Sequence, residues 1–176
     1  MSKPTIPQEQ AANSAFPAPD HDHDRCSSDA MALAEALCEE RGQRLTPIRR
    51  KVLGILLGSH KPLGAYEVID RLAPQGPRPA PITAYRALDF LRENGLVHRI
   101  ESRNAFIACV HNHAAGDLVV FLICERCGDV GEASSPDVAA TLASAARAAG
   151  FSPKSPVLEI NGICTHCRRI RATDGG

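Results

Sequence analysis

Apolar residues recur at three- and four-residue spacing through the first half of this chain and gather into short runs in the second. From Asp29, the residues Ala30, Leu33, Ala34, Leu37 and Cys38 fall on one helical face. Asp29 stands as a cap and Gly42 lies just past the end. Cys38 sits on the stripe and reads as a core residue rather than a ligand. Thr46-Pro47 marks the next start, an N-cap hydroxyl followed by proline at the first helical position. Ile48, Val52, Ile55 and Leu56 form the stripe of that helix. A short helix fits residues 65–72, and the proline- and glycine-rich run 74–79 is a loop. A fourth helix fits 83–94, with Ala84, Ala87, Leu88 and Leu91 inward and Gly95 as a left-handed stop. Two strand-like runs follow, 96–100 and 105–109, turned by Ser102-Arg103-Asn104.

Beyond residue 117 the pattern predicts strands at 118–123, 130–132 and 157–160, with an alanine-rich helix at 136–149 ending on Gly150. Large apolar residues are few outside those strands, Leu142 and Phe151 among them, which leaves this half little core of its own. A metal staple and a partner subunit would both stabilise it, and an exposed edge strand could pair with its copy, so a homodimer built through this half is expected. Residues 1–28 lack apolar periodicity and read as a disordered tail, in which His21-Asp22-His23-Asp24 is more simply solvated than metal-binding. Residues 29–110 form the first domain, 111–117 a hinge loop, 118–170 the second domain and 171–176 a tail.

The 176 residues suit one ordinary domain or two small ones, and the formal net charge is zero. That zero conceals an asymmetry. Residues 1–40 carry two Lys/Arg against eight Asp/Glu, whereas residues 44–103 carry eleven against five. A basic middle segment made of helices followed by a β-hairpin describes a winged helix-turn-helix that binds a polyanion. Thr83, Tyr85 and Arg86 lie off the apolar stripe of the fourth helix, near its start, where base edges are read. Tyr66 is a further phosphate candidate, and Arg49, Arg50, Lys51 and Arg103 supply sequence-independent attraction. The alternative is an arginine-rich, solvated surface with Tyr85 half-buried. No segment approaches a membrane span and no signal-peptide pattern opens the chain, so a cytoplasmic protein is expected.

Cysteine usage changes the picture further. Cys124-x-x-Cys127 and Cys164-x-x-Cys167 each follow an apolar strand-like run, and four thiolates in two such pairs match a tetrahedral structural Zn²⁺. Disulfide-linked or merely buried cysteines, and a thioredoxin-type redox motif, are the alternatives. A second constellation lies between the halves: His98, Cys109, His111, His113 and Glu132, with Asp117 near them in sequence. Imidazole, thiolate and carboxylate together suit Zn²⁺. Drawing ligands from the wing and from the second half, such a site couples metal occupancy to domain geometry. Scattered surface histidines are the alternative.

These residues together resemble the ferric uptake regulator family, and within it the zinc uptake regulators. The resemblance spans about residues 45–169. It rests on Arg44-Leu45-Thr46-Pro47, Ala65-Tyr66, the run Thr83-Ala84-Tyr85-Arg86-Ala87-Leu88-Asp89-Phe90-Leu91, Gly95-Leu96-Val97-His98, Cys124-Glu125-Arg126-Cys127-Gly128 and Gly162-Ile163-Cys164-x-x-Cys167. It implies an α+β fold: an N-terminal winged helix-turn-helix DNA-binding domain joined to a small α/β dimerisation domain with structural zinc. It implies a cytoplasmic homodimer that binds an AT-rich palindromic operator when a regulatory Zn²⁺ is held and then represses zinc-import genes. Two Zn²⁺ per chain follow: Cys124, Cys127, Cys164 and Cys167 hold the structural ion, and His98, Cys109 and Glu132 match three of four regulatory ligands. At the fourth position this chain has Asp117 where the family has histidine, so His111 or His113 is favoured there. No enzymatic activity, membrane or small-molecule substrate is expected. The rival readings are a family member sensing iron, manganese or peroxide, a thiol-disulfide enzyme, and a zinc-scaffolded interaction module without DNA specificity.

Overall fold

The structure is a computed structural model that describes residues 15–16, 23–109, 118–153 and 157–173. Four helices come first: α1 (His23–Glu40), α2 (Pro47–Leu57), α3 (Ala65–Leu72) and α4 (Pro81–Glu93). A hairpin follows, β1 (Val97–Ile100) and β2 (Ala105–Ala108), and then β3 (Val119–Cys124), β4 (Val130–Ala133), α5 (Pro136–Ala148), β5 (Val157–Gly162) and α6 (Thr165–Thr173).

The stripes predicted from sequence are the faces that pack, except at Leu33 of the first helix, which is exposed. Val52, Leu53 and Leu56 of α2, Val68 and Leu72 of α3, and Ala87, Leu88 and Leu91 of α4 are buried in one core with Leu96, Val97 and Phe106 of the hairpin. Cys38 lies in that core, where burial pushes its thiol above the usual range. Leu63 pairs with Phe106 through two backbone bonds of 2.8 Å, which ties the hairpin to the segment before α3. At the tip of the hairpin, Glu101–Arg103 forms a 3₁₀ turn and Asn104 closes it in the left-handed region at φ 48°. Asparagine tolerates that conformation because its short polar side chain bonds locally; here its Oδ1 accepts from Arg99 at 2.8 Å.

The second half is a three-stranded sheet in the order β4-β3-β5. β3 and β4 are antiparallel, whereas β5 returns through α5 to lie parallel to β3. β5 is therefore an edge strand, with Val157 and Ile160 exposed. Ile100 and Ile107 of the hairpin are buried against Val119, Phe121, Ile123 and Val130 of this sheet, so the wing packs directly on it.

Four expectations need correction. The first helix begins at His23, so residues 23–28, assigned to a disordered tail, are helical. Asp29 is consequently no cap and instead pairs with Arg25 at 4.0 Å. Thr46 holds the N-cap position, but its hydroxyl makes no capping bond, and Pro47 alone supplies the predicted signal. α6 was not anticipated, because Thr-His-Cys-Arg-Arg-Ile-Arg carries no apolar stripe, and it runs to Thr173 into the span read as a tail. The thin core expected of this half is observed: Leu142 and Phe151 are 40% and 64% exposed, and α5 buries none of its residues.

Leu88 has no exposed surface and sits where α4 meets the first core. Leu88→Ala is expected to destabilise that half by about 2–5 kcal/mol, read as a lowered denaturant midpoint with unchanged slope.

Candidate metal centres and nucleic-acid interface

The two Cys-x-x-Cys pairs converge. Cys124 ends β3, and the chain turns through Gly128 at φ 82°, a left-handed conformation that glycine adopts without strain. The turn is closed by Gly128 N–H donating to the Cys124 carbonyl at 3.0 Å. Cys164 and Cys167 lie at the start of α6, just after β5, and the parallel pairing of β3 with β5 brings their strand ends together at Cys124 and Gly162. The ligand sulfurs of all four cysteines lie within 4.8 Å of one another. Sulfurs about 2.3 Å from one central ion stand about 3.8 Å apart in a tetrahedron, and Cys127 Sγ is 3.9 Å from Cys164 Sγ. The donor set and its spacing fit Zn²⁺.

Backbone amides support the sulfurs. Cys164 N–H donates to Cys124 Sγ, and Cys167 N–H to Cys164 Sγ, each at 3.4 Å. Burial pushes the Cys124 thiol up, but the amides of Cys127, Cys164 and Arg126 aimed at its sulfur outweigh this and hold it at about 6. Cys127 and Cys167 move the other way overall, burial raising both thiols above the usual range. Phe16 packs against this cluster, and the Ala15 backbone lies so close over Gly131 that a side chain there would strike it.

The second constellation also assembles in part. His98 projects from β1, Cys109 follows β2, and Glu132 lies on β4; one ligand atom from each falls within a common 4.8 Å span. His98 Nε2 is 3.9 Å from Glu132 Oε1, and Cys109 Sγ is 4.0 Å from Glu132 Oε2. Both separations exceed ordinary hydrogen bonds and approach the edge of a Zn²⁺ coordination tetrahedron, about 3.3–3.6 Å. Glu132 is the one buried charged residue among those described. A carboxylate in such surroundings is costly unless paired or bound to a cation. The His98 ring rests on Phe121, with centroids 5.2 Å apart. His111, His113 and Asp117 lie outside the described residues.

The sheet register shows what the spacing could not. Glu132 of β4 and Glu159 of β5 both pair with Phe121 of β3, so the three side chains form one row on the sheet face beneath the wing. Glu159 accepts from the amides of Glu101 at 2.7 Å and Ser102 at 3.2 Å in the wing turn. Burial raises its pKa, but these amides, the Ser102 hydroxyl and Arg103 hold the carboxyl below the usual range. Sequence reasoning missed Glu159; its alternation with Leu158 and Ile160 along β5 was the only available signal.

In the first half, Thr83, Tyr85 and Arg86 stand exposed on the first turns of α4, as does Tyr66 on α3. Tyr66, Tyr85, Asp89, Arg92 and Arg99 line a cavity of about 240 Å³ between the two helices and the wing. Three expected attractors are engaged elsewhere. Arg49 covers the Phe90 ring at 3.4 Å and donates to the Arg44 carbonyl at 2.6 Å. Arg50 pairs with Glu35, and Arg103 turns toward the Gly128 carbonyl at 3.4 Å.

With metal removed, the Cys124 thiolate is expected to form with a midpoint near 6, read as the part of the thiolate absorbance against pH that is lost in Cys124→Ser. Because the folded value lies below the ordinary one, the stability that this thiolate contributes grows above pH 6 and disappears as pH falls through it.

Comparison with known proteins places this geometry. A model of the ferric uptake regulator family matches residues 40–161. The zinc uptake regulation protein of Escherichia coli (strain K12) is 35% identical over 146 residues, 83% of this chain and 85% of that protein. The peroxide operon regulator of Bacillus subtilis (strain 168) is 32% identical over 147 residues, 80% of this chain and 96% of that protein. A solved zinc uptake regulator complexed with zinc and DNA aligns with a TM-score of 0.76 at 34% identity, covering 83% of this chain and 97% of its own. The crystal structure of holo XcZur aligns at 0.74 and 45% identity, covering 81% and 99%. Its helical and hairpin half, its sheet half and its sequence together make this chain a member of the ferric uptake regulator family.

Proposed function

We propose that this protein is a zinc-responsive, DNA-binding transcriptional repressor that controls zinc uptake genes. The observation that carries this reading is the trio His98, Cys109 and Glu132, drawn from the wing, from just after it and from the sheet, with ligand atoms within one 4.8 Å span. Cys109 separates this reading from iron, manganese and peroxide sensing, because a thiolate among the donors favours zinc over metals that prefer nitrogen and oxygen. The similarity to a zinc uptake regulator solved with zinc and DNA supports it.

In this reading the chain holds two Zn²⁺. Cys124, Cys127, Cys164 and Cys167 hold one, which fixes the ends of β3 and β5. His98, Cys109 and Glu132 hold the other, with a fourth donor from His111, His113 or Asp117. Bound there, Zn²⁺ supplies positive charge between a buried carboxylate and a thiolate and cross-links wing to sheet. Glu132 is then neutralised where it is buried, and His98 stays stacked on Phe121. The wing keeps one orientation, and the two reading heads of a homodimer keep one separation. The dimer forms through the second half, where the β5 edge and the exposed Val138 and Leu142 of α5 need a partner. A coupling of roughly 1–3 kcal/mol is the usual size of such an effect.

Thr83, Tyr85 and Arg86 enter the major groove, with Tyr66 on the phosphates, at an AT-rich palindrome. The protein acts in the cytoplasm and catalyses nothing. Cys164-x-x-Cys167 does sit between a strand and a helix, as a redox pair would. The convergence of all four sulfurs is what a metal knot needs and a redox pair does not.

Cys109→Ser is expected to leave a folded dimer that binds operator DNA no better with zinc than without it, measured by gel shift on palindromic and random duplexes. A normal zinc response in that variant would sink the assignment. Arg86→Ala should weaken specific binding by about 1–3 kcal/mol and relax base preference, read by fluorescence anisotropy.

A further inference from the structure

The wing is gripped at two points. At one end His98 and Cys109 meet Glu132; at the other the wing turn gives two backbone amides to Glu159. The two carboxylates flank Phe121 in a single row across the sheet. Ile100 and Ile107 pack between the grips on Val119, Phe121, Ile123 and Val130. A body held at one point pivots; held at two, it does not. The first grip depends on a metal ion, whereas backbone amides are donors under all conditions.

We infer that Glu159 is a positioning residue for DNA recognition: its carboxylate anchors the wing turn at Glu101 and Ser102, so that metal binding at the far end of the wing fixes an orientation rather than a hinge. The proposal rests on the repressor reading above for its link to DNA. The contact itself stands on geometry alone. Glu159 belongs to neither cysteine pair and lies across the Phe121 row from Glu132, so its substitution leaves every proposed metal donor in place.

The sequence around the turn permits a sharp test. Ile100 has φ −89° and ψ 103°, a conformation that a following proline tolerates. Glu101→Pro therefore removes the shorter amide donor without distorting the strand before it. Glu101→Ala keeps that amide and removes only the side chain that pairs with Arg99 at 3.3 Å. The full-length protein would be purified as wild type, Glu159→Ala, Glu159→Gln, Glu101→Pro, Glu101→Ala and the double variant Glu159→Ala/Glu101→Pro. Each would be assayed at saturating zinc for operator affinity by anisotropy, for zinc affinity by competition with a chromophoric chelator, and for amide hydrogen exchange.

Glu159→Ala and Glu101→Pro are each expected to weaken operator binding roughly tenfold, the scale of one charge-assisted hydrogen bond, with Glu159→Gln between them and wild type. The double variant should be no worse than Glu159→Ala alone, since that substitution already removes both bonds of the contact. Glu101→Ala should bind as wild type does, and zinc affinity at the His98 site should change by less than about twofold across the set. Amide protection at Glu101 and Ser102 should fall in Glu159→Ala while the core of the first half stays protected. Unchanged protection there, or wild-type operator affinity in Glu159→Ala, overturns the proposal. Wild-type protein that binds DNA alike with and without zinc would sink the repressor reading instead, and exchange at Glu101 and Ser102 would still decide the contact.

Discussion

Phe121 is 1% exposed, and both halves of the chain close over it. The wing brings Ile100, Ile107 and the His98 ring to it, and its own sheet brings Val119, Ile123 and Val130. Apolar burial of this kind has no direction; it holds two surfaces together without fixing how they are turned. Direction comes from the polar groups at the margin of the patch. Glu132 and Glu159 stand on either side of the ring, and each faces a different part of the wing. The seam therefore divides its work between an adhesive centre and two oriented edges. Among the described residues, only one of those edges gathers a group of side chains that could hold a metal ion.

The helices were legible because helical burial leaves a periodic trace. Val52, Leu56, Leu88 and Leu91 could be assigned inward from spacing alone, and all four are buried. The cysteine knot was legible because the short loop of a Cys-x-x-Cys pair already aims two sulfurs together, and only the meeting of the pairs depends on the fold. The His98 site was half legible. Residue chemistry nominated His98, Cys109 and Glu132, but only the contact of hairpin with sheet brings them within reach.

Other features left no trace in the sequence. α6 carries arginines where a stripe would be, so its sequence shows no helical periodicity. That α5 would bury none of its residues, Leu142 included, is likewise not written in its apolar spacing. Arg49 looked like a free cation for phosphate, yet it is spent on the Phe90 ring and a nearby carbonyl. A charge read from sequence does not reveal which neighbour has already claimed it. Glu159 was invisible for a related reason: its partners are backbone amides, which every residue but proline carries, so nothing in the sequence singles them out.

Gly131 has a consequence for how the protein is handled. Its missing side chain is filled by the backbone of Ala15, and Phe16 beside it leans on the sulfur knot. Ala15 and Phe16, which precede the reading head in sequence, thus touch the far module. Removing Phe16, or fusing a bulky tag beside it, would take an aromatic ring off the sulfurs and leave them more open to oxidants and chelators.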